Sequence, residues 1–216
     1  MRIEDLPSHP LVETLPLQNT NWWVVSGGPS SGKTSVLDHL AERGYNVMPE
    51  AARILIDQEM DKGRRLEQIR ADESKFQRDV EQLKIEMEEK MSPNDLVFLD
   101  RGRQGDSGAY WQESGGDHEV PISNKYAGVF LLDRLPFEKD YARTEDEEVA
   151  ERIHNNIGLN YRIFGYNPIR VPVFSSNREI SIEKRADFII SQMRQQDPSI
   201  PYYPAPLRGE FQLALV

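Results

Sequence analysis

The chain has 216 residues, of which 38% are hydrophobic, and this is enough for one sizeable core. Its formal net charge of -10 disfavours nucleic acid as a partner, because an acidic surface repels phosphate backbones. The absence of cysteine excludes disulfides and cysteine-based metal or nucleophile sites. The amino-terminal residues lack the basic and long apolar stretches of a signal peptide or membrane span, so we expect a cytoplasmic protein.

An irregular arm precedes the first predicted strand. Residues 1–19 carry three prolines among mixed polar and apolar residues, which is typical of an irregular segment. Residues 21–26, NWWVVS, form a short apolar run rich in aromatic and β-branched residues, and this predicts a buried strand of a parallel sheet. Apolar residues then recur at helical spacing from Val36 to Leu40, and Gly44 ends the predicted helix.

The same pattern of strand and helix continues along the chain. A strand is predicted over residues 45–48 and a helix over residues 51–60. The charged segment 65–91 has apolar residues spaced 7, 4, 3 and 4 apart, which predicts one long amphipathic helix. Its apolar stripe consists of Ile69, Phe76, Val80, Leu83 and Met87. Further buried strands are predicted over residues 95–100, 127–133 and 169–174.

Alternating strands and helices predict an α/β fold, with a parallel sheet of about five strands and helices on both faces. We expect one domain over residues 20–195, with the arm at 1–19 before it and a proline-rich tail at 196–216 packed on it. The highly charged stretch 134–152 has two interpretations. It forms a solvated helix, or it forms a helical lid that closes over a bound nucleotide.

A phosphate-binding P-loop follows the first strand. The sequence GGPSSGKT satisfies G-x-x-x-x-G-K-[ST] at every fixed position and stands between a predicted strand and a predicted helix. Backbone N–H groups and the helix N-terminus would hold the phosphates, Lys33 would place its charge on the β and γ phosphates, and Thr34 would bind Mg²⁺. The predicted nucleotide-binding residues are Gly27, Gly28, Pro29, Ser30, Ser31, Gly32, Lys33, Thr34 and Ser35.

A P-loop enzyme also needs an acid at the end of a neighbouring strand to hold the metal and its water shell. Asp100 and Asp133 both end apolar runs in this way, and we prefer Asp100 because Arg101 follows it. A guanine-binding regulatory GTPase is disfavoured, because the nearest match to Asn-Lys-x-Asp, at residues 124–127, lacks the aspartate. A phosphoryl-transfer enzyme fits the pattern better.

Candidate acceptor-side residues follow the second and third strands. Glu50 lies where open α/β sheets bind ligands, and it would accept the proton of an acceptor hydroxyl or, alternatively, only stabilise a helix N-terminus. Arg53 lies one helical turn after Glu50, and it would contact the substrate or, alternatively, only pair with Glu50. Arg101 would orient Glu50 or the substrate, and Asp106 would hydrogen-bond a substrate hydroxyl. For Arg103 we expect a surface position.

The charged stretch 134–152 supplies candidates for an arginine that reaches the β and γ phosphates. Arg143 is the first candidate, followed by Arg134 and Arg152. Each has the alternative of pairing with neighbouring acidic residues.

These segments together resemble a known family. GGPSSGKT, PEAAR, FLDRG with a later aspartate, FLLDRLPF, RTEDEE and EKRADFII are similar, over about residues 22–190, to the NadR-like P-loop ATPases. That AAA-type family includes the nicotinamide-riboside kinase domain of NadR and the Ttd-type nucleotide-binding proteins. The resemblance implies a fold close to thymidylate and deoxynucleoside kinases. It also implies that Glu50 is a substrate-side base and that Asp100 and Arg101 serve the metal and the substrate.

The sequence thus predicts a kinase with ATP and Mg²⁺ as cofactors. It would transfer the γ-phosphoryl group to a small, nucleoside-like hydroxyl acceptor, with Lys33, Arg101 and Arg143 neutralising the developing charge. The alternative is a nucleotide-dependent binding protein whose lid and long helix engage a partner. Replacement of Glu50 by glutamine distinguishes the two, because only a kinase would lose turnover while it keeps its affinity for ATP.

Overall fold

A computed structural model describes residues 17–114, 124–136 and 146–204 of the chain. The strands are β1 (Gln18–Asn19), β2 (Trp22–Ser26), β3 (Asn46–Met48), β4 (Val97–Asp100), β5 (Asn124–Lys125), β6 (Gly128–Leu132) and β7 (Ile169–Val171). The helices are α1 (Lys33–Glu42), α2 (Ala51–Asp61), α3 (Leu66–Ile69), α4 (Glu73–Glu89), α5 (Gly108–Ser114), α6 (Glu147–Ile163) and α7 (Arg178–Gln196), and a π-helical turn at Arg103–Ser107 precedes α5.

Five strands form one parallel sheet in the order β3-β4-β2-β6-β7, and this confirms the predicted α/β fold. The central strand β2 pairs with β4 on one side and with β6 on the other. Because all five strands run in the same direction, the residues that follow them meet at one edge of the sheet. A separate parallel pair, β1 with β5, was not predicted.

The core covers both faces of this sheet, as predicted from the sequence. Successive side chains of a strand point to opposite faces, so Trp22 and Val24 pack on one side and Trp23 and Val25 on the other. The first side is covered by α6, which contributes Ile153 and Tyr161 to its apolar cluster. The second side is covered by α1 and α7. This two-sided burial explains why the first four residues of β2, from Trp22 to Val25, are all apolar.

The prediction of one long helix over residues 65–91 was wrong. The segment forms two helices, α3 and α4, because Asp72 is extended and its side chain accepts a hydrogen bond from the backbone N–H of Lys75 at 2.9 Å. Such a cap begins a new helix. The apolar stripe still packs together, since Ile69 of α3 joins Phe76 and Val80 of α4 in one cluster.

The structure describes parts of the three predicted peripheral segments. The predicted lid at 134–152 ends in the first turns of α6, and its residues 137–145 lie outside the described ranges. In the tail, Ile200 is buried and Tyr45 donates a hydrogen bond to the carbonyl of Pro201 at 2.8 Å. Residues 1–16 of the arm and 205–216 of the tail are not described. In the described ranges, no helix is long and apolar enough to cross a membrane.

Replacement of Asp72 by alanine tests the break between α3 and α4. We expect Asp72→Ala to lower the free energy of unfolding by ~1 kcal/mol, because the first turn of α4 loses its side-chain acceptor. Urea denaturation followed by far-ultraviolet circular dichroism measures this loss. The control is Asp72→Asn, which retains a capping oxygen and is expected to unfold close to the wild type. Equal stability of all three proteins would contradict the proposed cap.

Candidate functional site

A cavity of about 590 Å³ is lined by residues that follow β2, β3 and β4. One end is formed by residues 29–35 of the P-loop together with Ser175, Ser176 and Arg178. The other end is formed by side chains of α2, α4 and α5, with the cluster residues Ile56, Phe76 and Val80 as its apolar surface. The cavity therefore extends from the predicted nucleotide site to a partly apolar surface, and its volume and mixed lining suit a small molecule.

The P-loop packs tightly at two glycines. Gly27 has a φ of 145°, and a Cβ atom at this residue would lie 2.8 Å from the carbonyl oxygen of Leu132. Gly28 approaches α6 as closely, because its Cβ would lie 2.7 Å from that of His154. These predicted nucleotide-binding residues are buried and do not line the described cavity. Their absent side chains let the loop pass between β6 and α6.

Lys33 is the first residue of α1 and lies buried beneath the loop. Its Nζ donates hydrogen bonds to the carbonyl oxygens of Gly27 and Gly28, at 2.9 and 3.3 Å, and to Oγ of Ser31 at 3.3 Å. Burial and the positive charge of Arg101 lower the pKa of Lys33 to about 8. The ammonium group is thus still mostly protonated at neutral pH, as electrostatic binding of a phosphate requires.

The sequence analysis did not identify Arg185 as a site residue. Arg185 is buried in α7 and donates hydrogen bonds to the carbonyls of Ser31, Asp133 and Pro172 at 2.7, 2.9 and 3.0 Å. It therefore ties the P-loop to the segments that follow β6 and β7. A signal was present in the sequence, because Arg185 stands four residues before Ile189 on the buried face of a helix.

A second unpredicted contact to the P-loop comes from α6. The backbone N–H of Gly28 donates a hydrogen bond to Nδ1 of His154 at 3.1 Å. This requires an unprotonated Nδ1. Burial and the charge of Arg134 lower the pKa of His154, so the fold favours this neutral form.

Arg101 connects the P-loop with the opposite end of the cavity. It has a φ of 70°, which is unusual for a residue with a side chain. Its Nε donates to Oε1 of Glu50 at 2.7 Å, and its Nη1 donates to the carbonyl of Gly27 at 3.2 Å and to Oδ1 of Asp106 at 3.3 Å. The guanidinium also lies 5.0 Å from the centre of the Tyr110 ring. Glu50, Arg101 and Arg53 all line the cavity.

The two carboxylates beside Arg101 are in different electrostatic surroundings. Burial raises the pKa of Glu50, but the charges of Arg101 and Lys33 outweigh this effect and lower it to about 2. Burial and the nearby charge of Glu50 raise the pKa of Asp100 to about 7. Glu50 is therefore ionised at neutral pH. Asp100 is partly protonated at the same pH, and a cation bound nearby would favour its ionised form.

The geometry of Asp100 fits a magnesium site. Its Oδ1 is buried and has no hydrogen-bond partner in the described part of the chain, whereas Thr34 at the start of α1 is exposed. The described residues hold no group of three or more acidic or histidine side chains for a metal, but Mg²⁺ commonly takes one or two protein ligands and completes its shell with phosphates and water. Asp133, the alternative acid, is engaged by Arg170 at 2.6 and 2.8 Å.

The position of Asp106 corrects its predicted role as a substrate contact. Its side chain is fully buried, and its two oxygens accept hydrogen bonds from Oγ of Ser26 and from the hydroxyl of Tyr161, each at 2.7 Å. The backbone N–H of Gly102 adds a further bond at 3.1 Å. Asp106 therefore positions Arg101 from within the core, and no substrate hydroxyl reaches it.

The expected surface position of Arg103 was also wrong. Only 4% of this residue is exposed. Its Nε donates to Oε1 of Glu81 at 2.7 Å, and its Nη1 lies 3.6 Å from Oε2 of Glu88. Arg103 is thus the cation of a buried network between the π-helical turn and α4.

The predicted lid arginines have three different outcomes. Arg143 lies outside the described residues. Nε of Arg134 lies 3.4 Å from the carbonyl of Pro29, so this side chain reaches the P-loop. Arg152 is exposed and forms an ion pair at 2.7 Å with Glu113 of α5, which is not one of the acidic residues that neighbour it in the sequence.

The family assignment comes from a profile described as an AAA domain, AAA_28, which matches residues 22–179 and so most of the chain. The chain belongs to this AAA domain family. Among curated proteins, none matches it. The match includes the P-loop, Glu50, Asp100 and Arg101, so these residues lie within the family's domain, whereas Arg185 lies beyond the matched range.

Solved structures with a similar fold include two kinases. A deoxyadenosine kinase from M. mycoides, with dCMP and dCDP bound, has a TM-score of 0.51 and 15% identity, over 81% of this chain and 99% of the kinase. A shikimate kinase from Acinetobacter baumannii, in complex with shikimate, has a TM-score of 0.49 and 16% identity, over 84% and 96% of the two chains. The first similarity shows that the AAA-domain protein has the fold of a P-loop kinase.

The contact between His154 and the P-loop predicts a pH dependence of stability. Because the folded state lowers the pKa of His154, its stabilisation is complete above the unfolded value of about 6.5 and is lost as pH falls through the folded pKa. The free energy of unfolding of the wild type, measured in urea between about pH 8 and about pH 5, should fall more than that of His154→Asn. Asparagine offers an acceptor oxygen that does not titrate. Parallel pH profiles of the two proteins would contradict this prediction.

Proposed function

We propose that this AAA-domain protein is a kinase that transfers the γ-phosphoryl group of ATP to a hydroxyl of a small, nucleoside-like acceptor. The observation that carries this proposal is the ion pair between Glu50 and Arg101, which lines the same cavity as the P-loop. A protein that only binds a nucleotide has no need of a carboxylate and a guanidinium fixed beside the phosphate site. The resemblance of the sequence to the NadR-like kinases supports the same function.

The P-loop end of the cavity would hold ATP. Backbone N–H groups of residues 30–35 and the N-terminus of α1 would bind the phosphates, and Lys33 would exchange its contacts with loop carbonyls for phosphate oxygens. Thr34 and the unpartnered oxygen of Asp100 would hold Mg²⁺. When bound, Mg²⁺ neutralises charge that develops on the phosphate oxygens.

The other end would position the acceptor for in-line transfer. The ionised carboxylate of Glu50 would accept a hydrogen bond from the acceptor hydroxyl and so aim its oxygen at the γ-phosphorus. That oxygen forms the new bond to phosphorus, the bond to the β–γ bridging oxygen breaks, and ADP leaves. The hydroxyl proton passes to Glu50.

The low pKa of Glu50 indicates when this proton moves. A carboxylate with a pKa of about 2 is a weak base, so it does not ionise a free hydroxyl. The hydroxyl becomes acidic only as its oxygen bonds to phosphorus, and in the loose transition state of phosphoryl transfer this occurs late. Glu50 would therefore contribute mainly by orienting the acceptor. Arg101 would stabilise negative charge on the transferring group, with Arg143 of the proposed lid as a second cation.

Replacement of Glu50 by glutamine tests the proposed function. In an assay of ADP formation with Mg-ATP and a panel of nucleosides that includes nicotinamide riboside, we expect Glu50→Gln to lower kcat by ~100-fold or more, with little change in affinity for ATP. Glutamine keeps the size of the side chain but loses the charge and the proton acceptor. Glu67→Gln is the matched control, because Glu67 is exposed on α3.

The Lys33→Ala variant separates turnover from background hydrolysis. Acceptor-dependent ADP formation in the wild type that disappears in Lys33→Ala would support the kinase. Tight ATP binding without stimulation by any acceptor, and with no effect of Glu50→Gln, would contradict it and favour a nucleotide-dependent binding protein.

A further inference from the structure

The cavity is strongly basic, although the protein as a whole is acidic. Seven basic residues but only one acidic residue, Glu50, belong to the described lining, whereas the whole chain has a formal net charge of -10. The basic residues are Lys33, Arg53, Arg70, Lys84, Arg101, Arg178 and Arg185. Such a concentration of one sign in a cleft attracts ligands of the opposite sign.

The seven basic residues are divided between the two ends of the cavity. Lys33 and Arg178 lie at the P-loop end, Arg185 donates to three backbone carbonyls, and Arg101 pairs with Glu50. The other three basic side chains line the opposite end of the cavity. They are Arg53 of α2, Arg70 of the α3–α4 turn and Lys84 of α4.

Lys84 is the one buried residue of these three, since Arg53 and Arg70 are partly exposed. The residue is only 4% exposed, and its Nζ makes long hydrogen bonds to two neutral oxygens, the carbonyl of Gly102 at 3.3 Å and Oγ of Ser107 at 3.4 Å. Among the described residues, no carboxylate forms an ion pair with Lys84. Burial of an ammonium group is costly unless an anion compensates its charge.

The nearest buried carboxylates are directed elsewhere. Glu81 accepts hydrogen bonds from Arg103 and Ser107, and Glu88 accepts from Tyr126 at 2.8 Å and lies next to Arg103. The network therefore satisfies its acids with its own donors. Lys84 contacts this network only through the Ser107 hydroxyl, and it lines the cavity.

The backbone places Lys84 on the same wall as the reacting groups. Its partner Gly102 directly follows Arg101, the residue that holds Glu50. Phe76 and Val80 precede Lys84 on α4 at intervals of four residues and line the same wall, so an apolar surface leads to the ammonium group. Arg70, which pairs with Glu73 at 2.7 Å, lies 5.1 Å from the centre of the Phe76 ring.

We propose that the acceptor carries an anionic group, a phosphate or a carboxylate, that binds to Lys84 while its hydroxyl faces Glu50. The apolar part of the acceptor packs on Phe76 and Val80. This inference rests on the proposed kinase function for the hydroxyl, but the anion site is defined by its own residues. The proposed class of acceptor is therefore a hydroxyl compound that also carries a negative charge.

The test compares matched pairs of compounds that differ only in the anionic group. One pair is a nucleoside and its 5′-monophosphate, and the other is a small hydroxy acid and its amide. Binding is measured by calorimetry with a non-hydrolysable ATP analogue present, and turnover is measured as ADP formation. We expect the charged member of at least one pair to bind more tightly by roughly 10- to 100-fold, as a charge-assisted hydrogen bond allows.

Lys84→Met and Lys84→Gln show whether this preference comes from Lys84. Methionine keeps the apolar stem, and glutamine also keeps a donor for Gly102 and Ser107, so at least one variant should fold and bind the ATP analogue. Both should reduce the ratio of affinities within the preferred pair toward one. Lys62→Met is the matched control, because the side chain of Lys62 is 67% exposed on a surface ion pair.

The outcomes separate this inference from the proposed function. A preference for the phosphate pair or for the carboxylate pair identifies the anion and supports the inference. Equal affinities within both pairs, or a preference that persists in both Lys84 variants, would overturn it, even if acceptor-dependent ADP formation supports the kinase. Binding of the anionic compound that depends on Lys84, without any turnover, would instead contradict the kinase and retain the anion site.

Discussion

The buried guanidinium of Arg101 fixes the relative positions of the two ends of the cavity. A guanidinium remains charged when it is buried, so the fold must surround it with acceptors. Arg101 meets this requirement with Glu50 on the acceptor side, the carbonyl of Gly27 on the P-loop side and Asp106 in the core. The same bonds that satisfy the charge therefore hold a carboxylate at a defined position beside the phosphate site. The left-handed backbone at Arg101 is a local cost that these bonds offset.

The support for Arg101 comes from the π-helical turn and α6. Tyr161 of α6 donates to Asp106 and accepts from the N–H of Gly102, so it holds both neighbours of the guanidinium. Gly105 permits this contact, because a Cβ atom at this residue would lie 2.2 Å from the Tyr161 ring. A side chain in the turn would therefore displace the tyrosine. The positions of Arg101 and Glu50 therefore depend on packing well behind them.

The parts of the site that the sequence predicted are those encoded by local patterns. The P-loop has fixed spacing, and Glu50 and Arg101 follow apolar strands, whose parallel arrangement brings their ends together. Other roles depend on contacts between distant segments. Asp106 and Arg103 lie in a polar, glycine-containing segment whose composition is typical of a surface loop. Only the packing of α4 and α6 against this segment shows that the two side chains are buried. Similarly, the periodicity of α4 identified its apolar stripe but gave no reason to include Lys84.

The basic cavity has a consequence for the ligand-free protein. Lys33 has only carbonyl and hydroxyl oxygens as hydrogen-bond partners, and Lys84 likewise has neutral ones, so their charges are compensated less well than that of Arg101. The repulsion between Lys33 and the nearby Arg101 opposes folding, while the excess of acidic residues elsewhere lowers the potential only from a distance. An anionic ligand brings further negative charge into the cavity. Part of its binding free energy therefore comes from relief of this repulsion, so a bound nucleotide and a bound acceptor should each stabilise the fold.

Each ligand would also make the cavity less positive, which weakens the attraction of the cavity for the next anion. The two compartments are thus electrostatically coupled, and Mg²⁺ on the nucleotide phosphates would reduce the repulsion between ATP and an anionic acceptor.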